Sequence, residues 1–127
     1  MTKNWFDGKL PDDWFTSPGT VRVSAAALAM AKAFDDEVRD KHSAEDWIVA
    51  FDWGDSRRVR DRGTNNWRDL GAGLDLVAYE RWKIPDNDIQ ELDGLRFAVK
   101  IPGQVVKASN ERLIDTDKAS VSGLALR

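Results

Sequence analysis

Residues 24–41 read Ser-Ala-Ala-Ala-Leu-Ala-Met-Ala-Lys-Ala-Phe-Asp-Asp-Glu-Val-Arg-Asp-Lys, and a second stretch at 47–53 reads Trp-Ile-Val-Ala-Phe-Asp-Trp. The first is the clearest helix in the chain. Ser24 is a good N-cap, since its hydroxyl can accept from an otherwise unpaired first-turn N–H. The alanines after it carry high helix propensity. Leu28, Ala31, Phe34 and Val38 recur at the helical period and form one apolar stripe. Asp35 and Asp36 lie off that face, and Asp40, Lys41 and His42 make a polar end. A helix with one apolar stripe must pack on something, and the second stretch supplies it. Trp47, Val49, Phe51 and Trp53 alternate with Ile48, Ala50 and Asp52, the period of a strand.

Outward from this pair the chain alternates between short strands and turns. Gly54 and Asp55 break the first strand, and residues 56–72 read mainly as a polar loop with a turn at Gly63 to Asn66. Val59 among the arginines allows part of that loop to be an extended hairpin arm. Leu74 to Trp82 is a strand with mixed faces. Pro85 to Asp88 is a turn, Ile89 to Leu92 a short strand, and Asp93-Gly94 a tight-turn signal. Leu95, Phe97, Val99 and Ile101 alternate with Arg96, Ala98 and Lys100 as a half-buried strand. Pro102-Gly103 suits a type II turn, with further short strands at Gln104 to Ala108 and Val121 to Leu126. One N-terminal helix and about six strands define an α+β fold. The helix packs on a small, mostly antiparallel or mixed sheet, or on a body of two sheets. Residues 1–20 form an irregular N-terminal arm punctuated by Gly8, Pro11, Pro18 and Gly19. Its Trp5-Phe6 and Trp14-Phe15 pairs are expected to fill grooves on the same molecule rather than a dimer interface. Residues 21–127 form a single domain without internal repeats.

Composition removes whole classes of chemistry. The chain has 127 residues, 19 Lys+Arg against 22 Asp+Glu, a formal net charge of -3, one histidine and no cysteine. Thiol nucleophiles, disulfides and cysteine-ligated metals are excluded. The net charge gives no support to nucleic-acid binding by the whole domain. No apolar run approaches the about 20 residues of a membrane span. The first fifteen residues contain Asp7, Asp12 and Asp13 rather than a secretory core, so a cytoplasmic protein is the default.

Candidate sites are few. Asp86-x-Asp88 and Asp115-x-Asp117 lack the loop pattern of a calcium site and read as solvated turn residues. His42 reads as a helix-end or surface residue. There is no Gly-x-Ser-x-Gly elbow, and Ser24, Ser43, Ser56, Ser109, Ser120 and Ser122 have no signposted base except His42, which nothing in the sequence pairs with them. Asp75 and Glu80 lie in opposite strand phases, which argues against a catalytic carboxylate pair. Gly71-Ala72-Gly73 opens neither a P-loop nor a dinucleotide fold and marks a tight backbone passage. The one local asymmetry is Arg57, Arg58, Arg60 and Arg62, flanked by Trp53, Trp67 and Arg68. Interleaved arginine and aromatic side chains can grip phosphates and stack on bases. Asp52, Asp55, Asp61 and Asp69 nearly neutralise the patch, so an anionic protein partner or self-association is the better expectation.

The order of these elements resembles the HesB-like family, the A-type iron–sulfur cluster assembly proteins. Val21-Arg22-Val23-Ser24 opens the alanine-rich helix, and Trp47 to Trp53 matches the first core strand. Gly71-Ala72-Gly73-Leu74 and Tyr79 sit where the family has its glycine turn and following strand. Pro85-Asp86-Asn87-Asp88 precedes Glu91-Leu92-Asp93-Gly94-Leu95, and Leu113-Ile114-Asp115 with Ser122-Gly123-Leu124-Ala125-Leu126 matches the closing element. The resemblance implies a HesB-like fold over residues 21–127. The family ligates iron or a cluster through one cysteine in the glycine turn and two in a Cys-Gly-Cys tail. Here Ala72 stands nearest the first, and the sequence stops at Arg127, before that tail would begin. The resemblance thus implies a scaffold kept without its metal: no cofactor, no metal ligands and no enzymatic activity. The expected function is protein–protein interaction, with Trp53, Arg57, Arg58, Arg60, Arg62, Trp67, Arg68 and Tyr79 as binding residues. The alternatives are nucleic-acid or polyanion binding through Arg57 to Arg68, and small-molecule binding in a cleft of tryptophan, Tyr79 and aspartates.

Overall fold

The computed structural model describes residues 8–42, 46–60 and 62–127. The Trp5-Phe6 pair, Ser43 and Asp61 lie outside the described residues. The architecture is mixed α+β, with two sheets and a covering helix. The chain order is β1 (Arg22–Val23), α1 (Ala25–Lys41), β2 (Trp47–Arg60), β3 (Trp67–Glu80), β4 (Gln90–Leu92), β5 (Leu95–Lys100), α2 (Gly103–Ala108), β6 (Leu113–Thr116) and β7 (Leu124–Leu126). One sheet has the order β3-β2-β5-β4 and the other β1-β6-β7. Both are mixed: β2 runs parallel to β5 and β1 parallel to β6, while β2–β3, β4–β5 and β6–β7 are antiparallel.

The helix forms as its sequence demands. Ser24 is the N-cap and accepts from the Ala27 N–H at 3.1 Å. The same hydroxyl donates to Asp115 Oδ1 at 2.7 Å, which ties the helix start to β6. Ala27, Leu28, Ala31 and Val38 are buried, and Phe34 packs at the margin of the same core. Asp115 is therefore a tether between sheet and helix, not the solvated turn residue its spacing suggested.

Strand β2 is the middle of the fold. Val49 and Phe51 face a core completed by Ala27, Leu28, Ala31, Leu74, Phe97, Val99, Ile114 and Leu124. The Phe51 and Phe97 rings meet edge to face at 5.9 Å. Ile48 and Ala50 point the other way, into a second core with Leu10, Phe15, Ile84 and Ala98. The apolar run of β2 is thus dry on both faces, as a strand without a solvent side should be. The cover over the second face is the N-terminal arm. Leu10 N–H donates to Lys83 O at 2.7 Å, Thr16 N–H to Val99 O at 2.8 Å, and the Thr16 hydroxyl to Ile101 O at 3.2 Å. The described part of the arm packs in cis.

Four local expectations are corrected. Gln104 to Ala108 is not a strand but lies within α2, and Pro102 caps that helix instead of opening a type II turn. The Pro102 carbonyl accepts from both Val105 and Val106, and only Val106 of the pair is fully buried. One buried contact on a short turn outweighs the β preference of two valines. Residues 56–72 are largely strand, because β2 continues to Arg60 and β3 begins at Trp67. The last strand is confined to Leu124–Leu126, since Asp117 and Gly123 close a turn between them. The tight turn at Asp93-Gly94 forms, with φ of 49° and 82°. Both positive angles fit a two-residue hairpin turn. Among the described residues, no helix is long and apolar enough to cross a membrane.

Phe15→Ala should lower unfolding free energy by about 3–5 kcal/mol in urea titrations, because it empties a buried position under the sheet. Asp115 supplies a pH test. Its hydrogen bond from Ser24, then that from the Thr116 N–H, hold its carboxyl below the ordinary carboxylate range. The folded state therefore binds this proton less readily than the unfolded chain. The contribution is present above the ordinary range and is lost as pH falls through the folded value. The stability gap between wild type and Asp115→Asn should narrow from about pH 6 to below about pH 3, measured by urea midpoint.

Candidate functional site

The β2–β3 hairpin extends well beyond the sheet that anchors it. Strand β5 pairs with β2 only over Val49 to Asp52, whereas β2 and β3 stay paired out to Arg60 and Trp67. Register shifts fall between Gly54 and Arg57 and between Arg57 and Arg58. The first adds a residue on β2 and the second adds one on β3. The two offset each other, so the tip pairs in the same register as the base. Paired bulges bend and twist a ribbon without unpairing it.

Arg57 fills the space inside this double bulge. Its side chain is 12% exposed. Nε donates to Gly71 O at 3.1 Å, Nη1 to Leu74 O at 3.3 Å and to Asp75 Oδ1 at 3.2 Å, and Nη2 reaches Ala72 O at 3.5 Å. Two glycines lie directly against this side chain. A Cβ on Gly73 would lie 2.8 Å from Arg57 Cζ, and one on Gly54 would lie 2.9 Å from Arg57 Cγ. Gly71 has φ of 69°, a left-handed angle that favours glycine. Asp52 and Asp75 are direct cross-strand partners, a like-charge pairing that costs stability alone. Lys100 meets Asp52 at 3.0 Å and Arg57 meets Asp75 at 3.2 Å, so each carboxylate has its own cation.

The structure divides the eight expected binding residues into three groups. Trp53 is half-buried against the main core, with Nε1 donating to Asp55 Oδ1 at 3.1 Å. Together with Arg57, Leu70, Ala72, Gly73, Asp117, Ser120 and Val121 it lines a cleft of about 340 Å³ between the hairpin and the β6–β7 connection. Tyr79 lies on the opposite face, packed on the second core, and burial followed by Asp52 pushes its hydroxyl up to about 12. It cannot share a site with Trp53. The third group is the hairpin tip, where Arg58, Arg60, Arg62, Trp67 and Arg68 are all exposed. Trp67 is 62% exposed and is the cross-strand partner of Arg60. Arg60 is held by Thr64 O at 3.1 Å and by the Asn65 side chain.

Sequence reasoning missed the contribution of Asp117, Ser120 and Val121 to the cleft, since only tertiary closure brings β7 beside β3. It also passed over Trp82, which is 46% exposed in a cleft of about 580 Å³ with Lys9, Asp46, Glu80, Arg81 and Asp86. The acids there are already paired. Arg96 meets Asp46 at 2.8 Å, Arg81 meets Asp86 at 2.7 Å, and Lys83 reaches Glu80 at 3.7 Å. The Arg81 hydrogen bond, then Lys9, hold the Asp86 carboxyl low. Asp88 is buried rather than solvated, and His42 is exposed with its ring 5.1 Å from that of Trp47.

Gly71 to Gly73 lie within β3 rather than in a turn, and the residues there do not fit an iron or cluster ligand. Ala72 offers no donor atom, and the neighbouring guanidinium is a fixed cation with hydrogens to give and no lone pair. Among the described residues, no three His, Asp or Glu side chains are grouped to hold a metal ion. Compared with protein-family models, curated proteins and solved structures, the chain matches none.

Arg57→Ala should leave the Gly71 and Leu74 carbonyls and Asp75 without their donor, at a cost of about 1–3 kcal/mol. Arg57→Lys should recover less than half of it, because an ammonium cannot span that fork of acceptors. Thermal unfolding gives the cost. Hydrogen exchange should show faster exchange over residues 58–69 than over 47–53 in both variants.

Proposed function

We propose that this chain is a HesB-like domain without the cluster site, and that it acts as a non-catalytic protein-binding module through the β2–β3 hairpin. The observation that carries the reading is Trp67, 62% exposed among four exposed arginines at the end of a ribbon that no core covers. Large exposed aromatics beside arginine are what protein interfaces use as anchors. The scaffold half of the proposal draws support from the element order. A short strand enters a capped alanine-rich helix, a long hairpin carries the glycine pair, and a Gly-led strand precedes the closing β6–β7 pair. The cluster-free half draws support from Arg57, whose guanidinium fills the space beside Gly73. The proposal includes the cytoplasmic setting expected from the sequence.

Two measurements test it. Anaerobic incubation with ferrous iron and sulfide, followed by desalting, should leave no stoichiometric iron and no visible charge-transfer band; retained iron overturns the cluster-free reading. An aromatic photo-crosslinking residue in place of Trp67, which keeps a ring at that position, should yield a discrete adduct in native extract that disappears with Arg58→Glu/Arg60→Glu. The same group at exposed Gln104 should not yield it. Equal labelling from both positions overturns the hairpin as the binding element.

A further inference from the structure

We infer that the hairpin tip takes an acidic polypeptide segment, with Trp67 as its apolar anchor and Arg58 and Arg60 as its charge contacts. The inference rests on the reading of the chain as a protein-binding module and names the chemistry of the partner. In an antiparallel ladder, directly opposed residues share a face, and so do residues two apart. Arg60 opposes Trp67 and Arg58 opposes Asp69, so Arg58, Arg60 and Trp67 stand together on one face of the ribbon. Arg60 is oriented by its bonds to Thr64 O and Asn65, which occupy two of the five guanidinium donors. Arg62, Gly63, Thr64 and Asn65 extend this face around the turn as a shallow concavity of about 320 Å³.

Charge alone would have a simpler account. Among the described residues neither β2 beyond Asp52 nor β3 at the tip pairs with a further strand, and exposed arginines keep such edges from pairing with another chain. That account does not place a tryptophan among them. Trp67 lies outside both buried cores. An aromatic flanked by guanidinium groups is useful where a partner brings both apolar area and negative charge.

Charge complementarity selects the class of partner. Residues 58–69 hold four arginines and two aspartates in a chain of net charge -3, so the tip is a small basic island on an acidic body. Beyond the double bulge only three residues on each strand are paired, about 10 Å of ribbon at about 3.3 Å per residue. A nucleic-acid duplex presents one negative charge per about 1.7 Å, and its flanks would run across the acidic body. A short carboxylate-bearing peptide matches the island in both length and charge. Asp69, set directly opposite Arg58, also favours a partner of discrete charges over a continuous polyanion.

Fluorescence anisotropy with the intact chain tests this. The probes are a labelled Glu-rich peptide containing leucines, its counterpart with Gln for Glu, and a single-stranded oligonucleotide of equal charge. The acidic peptide should bind best, and its affinity should fall as salt rises. Arg58→Glu/Arg60→Glu and, separately, Trp67→Ala should each weaken it by about tenfold or more. All three positions are exposed, and circular dichroism should show the fold unchanged. Equal binding of the Gln peptide, or insensitivity to both variants, overturns the inference. Tighter binding of the oligonucleotide overturns it together with the protein-binding reading. If no peptide binds while position 67 still gives its charge-dependent adduct, the acidic class falls and the protein-binding reading stands.

Discussion

Between Val49 and Asp52, β2 is paired on both edges, its apolar run is covered on both faces, and the other elements take their positions from that constraint. A strand that is dry on each side must find partners for two sets of side chains at once. Phe51 and Val49 recruit α1 and the small sheet, while Ile48 and Ala50 recruit the arm and Ile84. Each fully buried aliphatic or aromatic side chain here contributes about 1.5–3 kcal/mol. The arm cannot be treated as an appendage, because without Leu10 and Phe15 the second face would stand open to water. The parallel pairing of β5 follows from the same demand. A short turn at Asp93-Gly94 delivers β5 from β4, and β5 then lies beside β2 with Val99 on the main core and Ala98 on the second.

The hairpin beyond Gly54 obeys a different rule. No core reaches it, so its backbone order depends on cross-strand hydrogen bonds and on Arg57. One largely buried guanidinium takes the place of a packed side chain and donates to the Gly71 and Leu74 carbonyls of the facing strand. With no Cβ at Gly54 or Gly73, this cation folds back closely along the strands. The same arrangement explains why an arginine that reads as part of a binding patch is unavailable for binding. Arg58 and Arg60, one and three residues further on, are exposed because they lie past the bulge.

Much of the fold was legible in the residues. The helix from Ser24, the strands at 47–53 and 95–101 and the turn at Asp93-Gly94 all follow from local signals that tertiary structure reinforces. What was not legible depended on contacts distant in sequence. Val105 and Val106 favour a strand locally, but the Pro102 carbonyl and one buried contact make a helix. Arg58 to Arg60 and Trp67 to Asp69 carry little apolar alternation, yet they pair because the anchored base of the hairpin aligns them. The site was legible in part. The arginines and Trp67 stand out as an unusual run, but nothing in the order Trp53, Arg57, Tyr79 reveals that the first and last face opposite sides of a sheet. Asp117, Ser120 and Val121 carry no motif at all, and they join the cleft only because β7 closes against β3.

The absence of cysteine becomes more specific once Arg57 is placed. With Gly71 and Gly73 on either side, position 72 of β3 would have room for a metal-binding side chain if nothing lay against it. Here the space is filled by a cation that reaches from β2 to four acceptors on β3. A thiolate at position 72 would have to sit beside that guanidinium, which would compete with a metal ion for its charge. Removing Arg57 to make room would strip the bulge of its hydrogen bonds and release the tip. A ligand thiolate at position 72 and a hairpin ordered by Arg57 therefore oppose each other, and the sequence carries the arginine.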